Sequence, residues 1–158
     1  MDIIKYEEWS ERVYNSYKFT ENKPSWLVIH HSESPKKVGK KAVRDLQDWH
    51  VDGNKWLEIG YHFIIDSDGN VYEGRKENHH GSHCYGYNQV SLGICLIGNF
   101  DNDYPNENQY NSLIKLIKHL KQKWEIKENK VAFHRTLDGM KCCPGNHLDL
   151  YEIKRDLV

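Results

Sequence analysis

The chain carries almost no net charge. Its 22 lysines and arginines are offset by 23 aspartates and glutamates, leaving a formal charge of -1 at pH 7 over 158 residues. That excludes the basic footprint by which nucleic-acid-binding proteins neutralise phosphates, and equally a polybasic contact with a membrane surface. No apolar run approaches the length of a membrane helix, so no stable membrane association is expected. The N-terminal stretch MDIIKYEEWSERVYNSYK is charged and aromatic and lacks a secretory apolar region, which leads to an expectation of synthesis in a cytoplasm. Cysteine is scarce. Four cysteines without a secretion signal give no disulfide framework, leaving metal ligation or burial as small hydrophobes. Internal repeats, low-complexity tracts and long linkers are missing too, so a single domain over residues 1–158 is expected.

What is present is a folding pattern. A hydrophobic content of 38% against 28% charged residues favours a folded chain over disorder. Tyr6, Trp9, Val13 and Tyr17 recur at helical spacing and predict an N-terminal helical extension within residues 1–24. WLVIHHS (26–32) has the form of a buried strand, and Val38, Ala42, Val43, Leu46 and Trp49 suit one face of a helix. GYHFIID (60–66) and VYEGR (71–75), joined by a Ser-Asp-Gly-Asn turn, predict a hairpin. Residues 76–90, rich in His, Gly, Asn and Tyr, form a loop. SLGICLIGNF (91–100) is apolar on both faces, as a central strand is. Pro105 fits the first turn of a helix whose buried face carries Tyr110, Leu113, Ile114, Ile117, Leu120 and Trp124. A short strand KVAFH (130–134) and a closing helix HLDLYEIKRDL (147–157) complete the chain. The class is α/β, a mixed central sheet flanked by helices.

The stretch AFHRTLDGMKCCPG (132–145) places two adjacent cysteines and a lysine after a strand-end histidine. Zinc takes imidazole nitrogen and thiolate, and a catalytic zinc site keeps three protein ligands. His134 and one of Cys142 or Cys143 are two candidates, and the His30-His31 pair at the end of another strand offers a third. Side chains alternate across a strand, so only one of that pair faces the site, and pattern does not choose between them. The short spacings that make a zinc motif specific, CxxC and HExxH, are missing, and a buried cysteine is more often a small hydrophobe.

Four segments in order, WLVIHHS, GYHFIIDSDGNVYEGR, GSHCYGYNQVSLGICLIGNF and AFHRTLDGMKCCPG, closely resemble the type 2 family of zinc-dependent N-acetylmuramoyl-L-alanine amidases. That family includes small phage endolysins, such as the lysozyme of T-odd phages, and the animal peptidoglycan recognition proteins. The resemblance runs from about residue 26 to 150. GSHCYGYN and the lysine of MKCC look more like the phage enzymes. It implies one Zn²⁺ ion held by His30, His134 and Cys143, with Tyr61 and Lys141 as catalytic residues. Cys142 is given no role. The loop TLDGM is slightly longer than its phage counterpart, which bears on the position of Lys141 but not on the ligands.

The implied reaction is hydrolysis of the amide joining N-acetylmuramic acid to L-alanine in bacterial peptidoglycan, by a monomeric endolysin. Such an enzyme is made in the host cytoplasm and acts on the wall after membrane permeabilisation. An amide is a poor electrophile and water a poor nucleophile, a mismatch that a Lewis acid addresses. Lys141 as a cation and Tyr61 as a donor suit an oxyanion. His83, Arg75 and Asn88 are candidate substrate-binding residues. The competing expectations are an exposed loop histidine, a solvated arginine, and an Asn88 that with Ser91 orders the loop. Cys95 is expected in the core and Cys84 as a loop thiol. Trp49 is expected in the core, and Trp56 either there or beside a sugar groove. His79, His80, His119 and His147 are expected at the surface. Two other classes compete: a module that binds the muropeptide without cutting it, and a metal-free hydrolase with Cys143 as nucleophile and His134 as base.

Overall fold

The computed structural model describes residues 1–158. Its centre is a six-stranded sheet of β1 (Ile3–Ile4), β2 (Trp26–His31), β3 (Phe63–Ile65), β4 (Val71–Glu73), β5 (Ser91–Leu96) and β6 (Val131–Phe133), in the order β1-β4-β3-β5-β2-β6. Only the β3–β4 hairpin is antiparallel, so the sheet is mixed, as expected. The strand that is apolar on both faces, β5, lies between β3 and β2 and is buried along its whole length.

Each face of the sheet buries its own core. On one side Leu27, Ile29, Phe63, Leu92 and Ile94 pack against α3 (Glu107–Trp124) and α5 (Leu150–Asp156), through residues such as Leu113, Ile117, Leu120 and Ile153. On the other, Ile64, Tyr72, Cys95 and Ile97 meet α1 (Tyr6–Trp9) and α2 (Lys40–Asp48) through Tyr6, Trp9, Val43 and Leu46. Each fully buried aliphatic side chain stabilises the fold by about 1.5–3 kcal/mol. The helices have local reasons to start where they do. Asn106 caps α3, its side chain accepting from the Gln109 N–H at 2.9 Å, and Pro105 stands just ahead of that cap. Asp149 caps α5 in the same way, accepting from Tyr151 N–H at 2.8 Å.

The N-terminal helix is shorter than its spacing predicts. Tyr6 and Trp9 are buried, but Val13 and Tyr17 are 81% and 83% exposed, and the helix stops after one turn. Tertiary contacts override propensity here. The β1 strand pairs with β4, the Tyr6 hydroxyl donates to Glu58 Oε2 at 2.6 Å, and Trp9 Nε1 donates to the Glu73 carbonyl at 2.7 Å. Beyond Ser10 the chain turns away, with Arg12 drawn to Asp48 and Asp52, and regains only a 3-10 turn at Ser16–Lys18. The predicted face of α2 is also trimmed: Ala42, Val43 and Leu46 are buried, whereas Val38 and Trp49 are exposed. Trp49 opens a π-helical turn, Trp49–Gly53, that turns its ring out of the core.

Candidate metal centre

Three side chains from three segments converge above the end of β2. His30 is its penultimate residue and is buried. His134 follows the neighbouring strand β6 and opens α4 (His134–Leu137). Cys143 lies in the loop after α4. The His30 and His134 ring centroids are 4.6 Å apart, and Cys143 Sγ is 3.6 Å from His30 Nδ1. One potential ligand atom from each residue falls within 4.8 Å of the others. His31 faces the opposite side of the sheet, where its Nδ1 accepts from the Phe100 N–H at 3.1 Å. Alternation along β2 thus selects His30.

Arg135 anchors the cysteine loop. It donates to the carbonyls of Gly145 at 2.7 Å and Leu148 at 3.3 Å, and its backbone N–H donates to the Cys143 carbonyl at 2.9 Å. Nothing in its sequence context distinguishes this arginine from a solvated one. Cys142, beside Cys143, is exposed and outside the cluster.

The electrostatics favour neutral imidazoles. Burial holds His30 well below the usual histidine range and lowers His134, where Asp138 opposes the effect and Lys141 adds to it. Burial pushes the Cys143 thiol up to about 12, against the His31 backbone N–H that donates to its sulfur at 3.3 Å. A thiol so placed is a poor nucleophile by itself. Two neutral imidazoles and a thiol that needs a strong cation to ionise form a donor set that fits a borderline-soft dication such as Zn²⁺.

The cluster opens into a cleft of about 390 Å³ whose walls include Tyr61, Lys141, Trp49 and Trp56. Tyr61 packs against His30 at 5.1 Å between ring centroids. Burial raises its phenol well above the usual value, with smaller contributions from Cys95 and Cys143, so it stays a donor. Lys141 is exposed at the rim. His50, which sequence reasoning did not single out, is buried beneath the cleft and accepts the Gly60 N–H at 2.9 Å, fixing the approach to Tyr61. A larger cavity of about 580 Å³ adjoins the cleft, sharing Trp56 and Ser82 with it.

The three expected substrate-binding residues all line these spaces, His83 the cleft and Arg75 and Asn88 the adjoining cavity, and each is also held by contacts within the fold. His83 is buried, and its ring hydrogen-bonds to His30 Nε2 at 2.8 Å rather than standing free in a loop. Asn88 orders that loop, its side-chain oxygen accepting from the His83 and Cys84 N–H groups. Arg75 lines the larger cavity but is 1% exposed, so it is not solvated. Its guanidinium donates to the carbonyls of Ile59, His80 and Glu58 at 2.8–3.1 Å, which leaves it a structural part. Cys95 is in the core as expected, and Cys84 is buried as well. His79 stacks on Phe19 at 5.1 Å instead of standing free at the surface.

The family model described as N-acetylmuramoyl-L-alanine amidase matches residues 20–146. The chain belongs to that family. Among curated relatives, peptidoglycan-recognition protein SC2 of Drosophila melanogaster is 31% identical over 150 residues, covering 92% of this chain and 82% of its own length. The endolysin of Klebsiella phage KP32 is also 31% identical, over 143 residues, covering 89% of this chain and 94% of the phage protein. Among solved structures, N-acetylmuramoyl-L-alanine amidase LysC from Clostridium intestinale URNW superposes with a TM-score of 0.83 at 32% identity, covering 99% of this chain and 97% of that one. These two relatives, one animal and one phage, match at equal identity, so the leaning toward phage enzymes rests on the loop and lysine motifs alone. The family membership and the mixed α/β fold both agree with the resemblance carried by the four sequence motifs.

Proposed function

We propose that this amidase-family chain is a zinc-dependent peptidoglycan amidase that hydrolyses the bond between N-acetylmuramic acid and L-alanine. The observation that carries the reading is the convergence of His30, His134 and Cys143 at the floor of a cleft that also holds Tyr61 and Lys141. His30 and His134 would hold the ion through neutral imidazoles and Cys143 through its thiolate. When bound, such an ion supplies Lewis acidity that activates water and polarises the scissile carbonyl.

The chain's own residues do the rest. The His31 backbone N–H donates to Cys143 sulfur at 3.3 Å, which supports the thiolate form. Tyr61, half-buried and kept protonated by desolvation of its phenol, donates a hydrogen bond toward the oxyanion of the tetrahedral intermediate. Lys141 contributes positive charge at the cleft rim. The adjoining cavity gives room for the stem peptide, and the exposed Trp49 ring in the cleft wall offers a stacking face for a sugar. With a phage endolysin among its relatives, the chain is proposed to be made in the host cytoplasm and to lyse the wall once the membrane is permeabilised, as a monomer. No helix is long and apolar enough to cross a membrane.

The similarity to a peptidoglycan-recognition protein favours a second reading, a module that grips the muropeptide without cutting it. The complete donor set supports the enzyme over the receptor. Digestion of purified cell walls decides between them. New free amino groups of L-alanine, abolished by a chelator and restored by zinc, are expected. Binding with no new chain ends would leave the receptor. New reducing sugar ends would mean a glycosidase. Activity that survives chelation but not thiol alkylation would mean a cysteine nucleophile.

A further inference from the structure

We propose that His83 is a positioning residue that fixes the tautomer of His30, so that His30 turns a bare Nδ1 toward His134 and Cys143. The consequence for metal affinity rests on the reading of that cluster as a metal centre; the tautomer itself does not.

The direction of each hydrogen bond follows from the end of the chain. The Tyr87 carbonyl can only accept, and Ser91 Oγ lies 2.7 Å from it, so the serine hydrogen points there. Ser91 Oγ then offers only lone pairs to His83 Nε2, 3.1 Å away, and Nε2 must carry a hydrogen. The His83 ring is buried and hydrogen-bonds to no carboxylate, so it is neutral and its Nδ1 is an acceptor. His30 Nε2, at 2.8 Å, therefore donates to it. A neutral His30 protonated at Nε2 has a free lone pair at Nδ1, the atom 3.6 Å from Cys143 Sγ. The partner that orients the ligand is another imidazole in place of the more usual carboxylate or carbonyl.

The fold builds a slot for this ring. A Cβ on Gly93 would stand 2.6 Å from His83 Cγ, and one on Gly81 would stand 2.5 Å from His83 Cδ2, so both positions need glycine for the ring to fit. Asn88 holds the backbone on either side of the slot by accepting from the His83 and Cys84 N–H groups. Gly93 N–H also donates to His62 Nδ1 at 3.0 Å, which keeps the neighbouring histidine in register with the slot.

The test has two parts. Histidine side-chain ¹H–¹⁵N spectra of the metal-free wild-type protein read the tautomers without any variant; Nε2–H is expected for both His30 and His83, and Nδ1–H at His30 would overturn the proposal. Zn²⁺ affinity is then measured by chelator competition for wild type, His83→Leu and His83→Asn. The asparagine oxygen occupies the place of the Nδ1 acceptor. His83→Leu is expected to bind zinc about 10–100-fold more weakly, with His83→Asn recovering most of that loss. Equal affinity in His83→Leu and wild type, or an equal loss in both variants, would overturn the acceptor role. A wild-type protein that binds no zinc would instead remove the metal-centre reading, while the spectra would still decide the tautomer.

Discussion

His30 and His31 are neighbours in β2, yet they serve opposite faces of the sheet and meet again at one sulfur. The His30 ring faces His134 at 4.6 Å, while His31 Nδ1 accepts from Phe100 on the far side. Cys143 Sγ lies 3.6 Å from His30 Nδ1 and accepts the His31 backbone N–H at 3.3 Å. One strand end thus provides both a side chain of the candidate metal cluster and a backbone donor for the sulfur beside it.

The two adjacent cysteines should separate cleanly. Cys143→Ala is expected to lose stoichiometric zinc, because it removes one of three donors, whereas Cys142→Ala, altering an exposed thiol outside the cluster, should retain it. Metal content by mass spectrometry of the purified variants checks this. Retention of zinc by Cys143→Ala would assign the ligand wrongly.

Tyr61→Phe and Lys141→Ala remove groups assigned to the oxyanion rather than to the ion. Each is expected to lower kcat by about 10²–10³-fold with zinc content unchanged. Steady-state kinetics on a soluble muropeptide, run beside a zinc assay, separates loss of chemistry from loss of metal.

Arg75 should behave as a structural residue. Its guanidinium satisfies three backbone carbonyls and lies over the Phe19 ring at 5.1 Å. Arg75→Met is expected to cost about 3 kcal/mol or more and to lower Tm by roughly 6–12 °C. A variant of unchanged Tm but raised KM would return Arg75 to substrate binding.

Acid should destabilise the fold through two histidines. Burial lowers His50 and His62 to about 4, opposed at His62 by its contact with the His79 carbonyl. Above pH 6.5 both are neutral in the folded and unfolded states and contribute nothing to the pH dependence. As pH falls from 6.5 toward 4, the unfolded chain takes up protons that the folded chain refuses, so stability falls by on the order of 2–3 kcal/mol per histidine. Urea midpoints of the His50→Gln and His62→Gln variants should fall less steeply over this window than the wild-type midpoint.

Much of this molecule is written in its periodicity. The uniformly apolar Ser91–Leu96 strand, the hairpin around the Ser-Asp-Gly-Asn turn and the buried stripe of the long helix all occur where their patterns predict. The ordered motifs also point to the family, although strand alternation alone did not choose between His30 and His31. The misplaced residues share a cause. Val13, Tyr17 and Trp49 carry apolar spacing, but strand pairing of Ile3–Ile4 and the π-helical turn at Trp49–Gly53 redirect the chain. His83 and Arg75 are polar residues in turn-rich sequence, where exposure is the natural expectation. Their burial depends on partners distant in sequence, His30 in one case and the carbonyls of Glu58 and Ile59 in the other, and no local signal encodes such partners.

The most direct test is mass spectrometry of a defined muropeptide after incubation with the zinc-loaded protein. Zinc-dependent amidase activity gives two products, a sugar retaining the free lactyl carboxylate and a peptide beginning with a free L-alanine amine, and no cleavage by the chelated protein or by Cys143→Ala. An intact muropeptide under zinc-loaded conditions, or cleavage at a glycosidic bond, would contradict it.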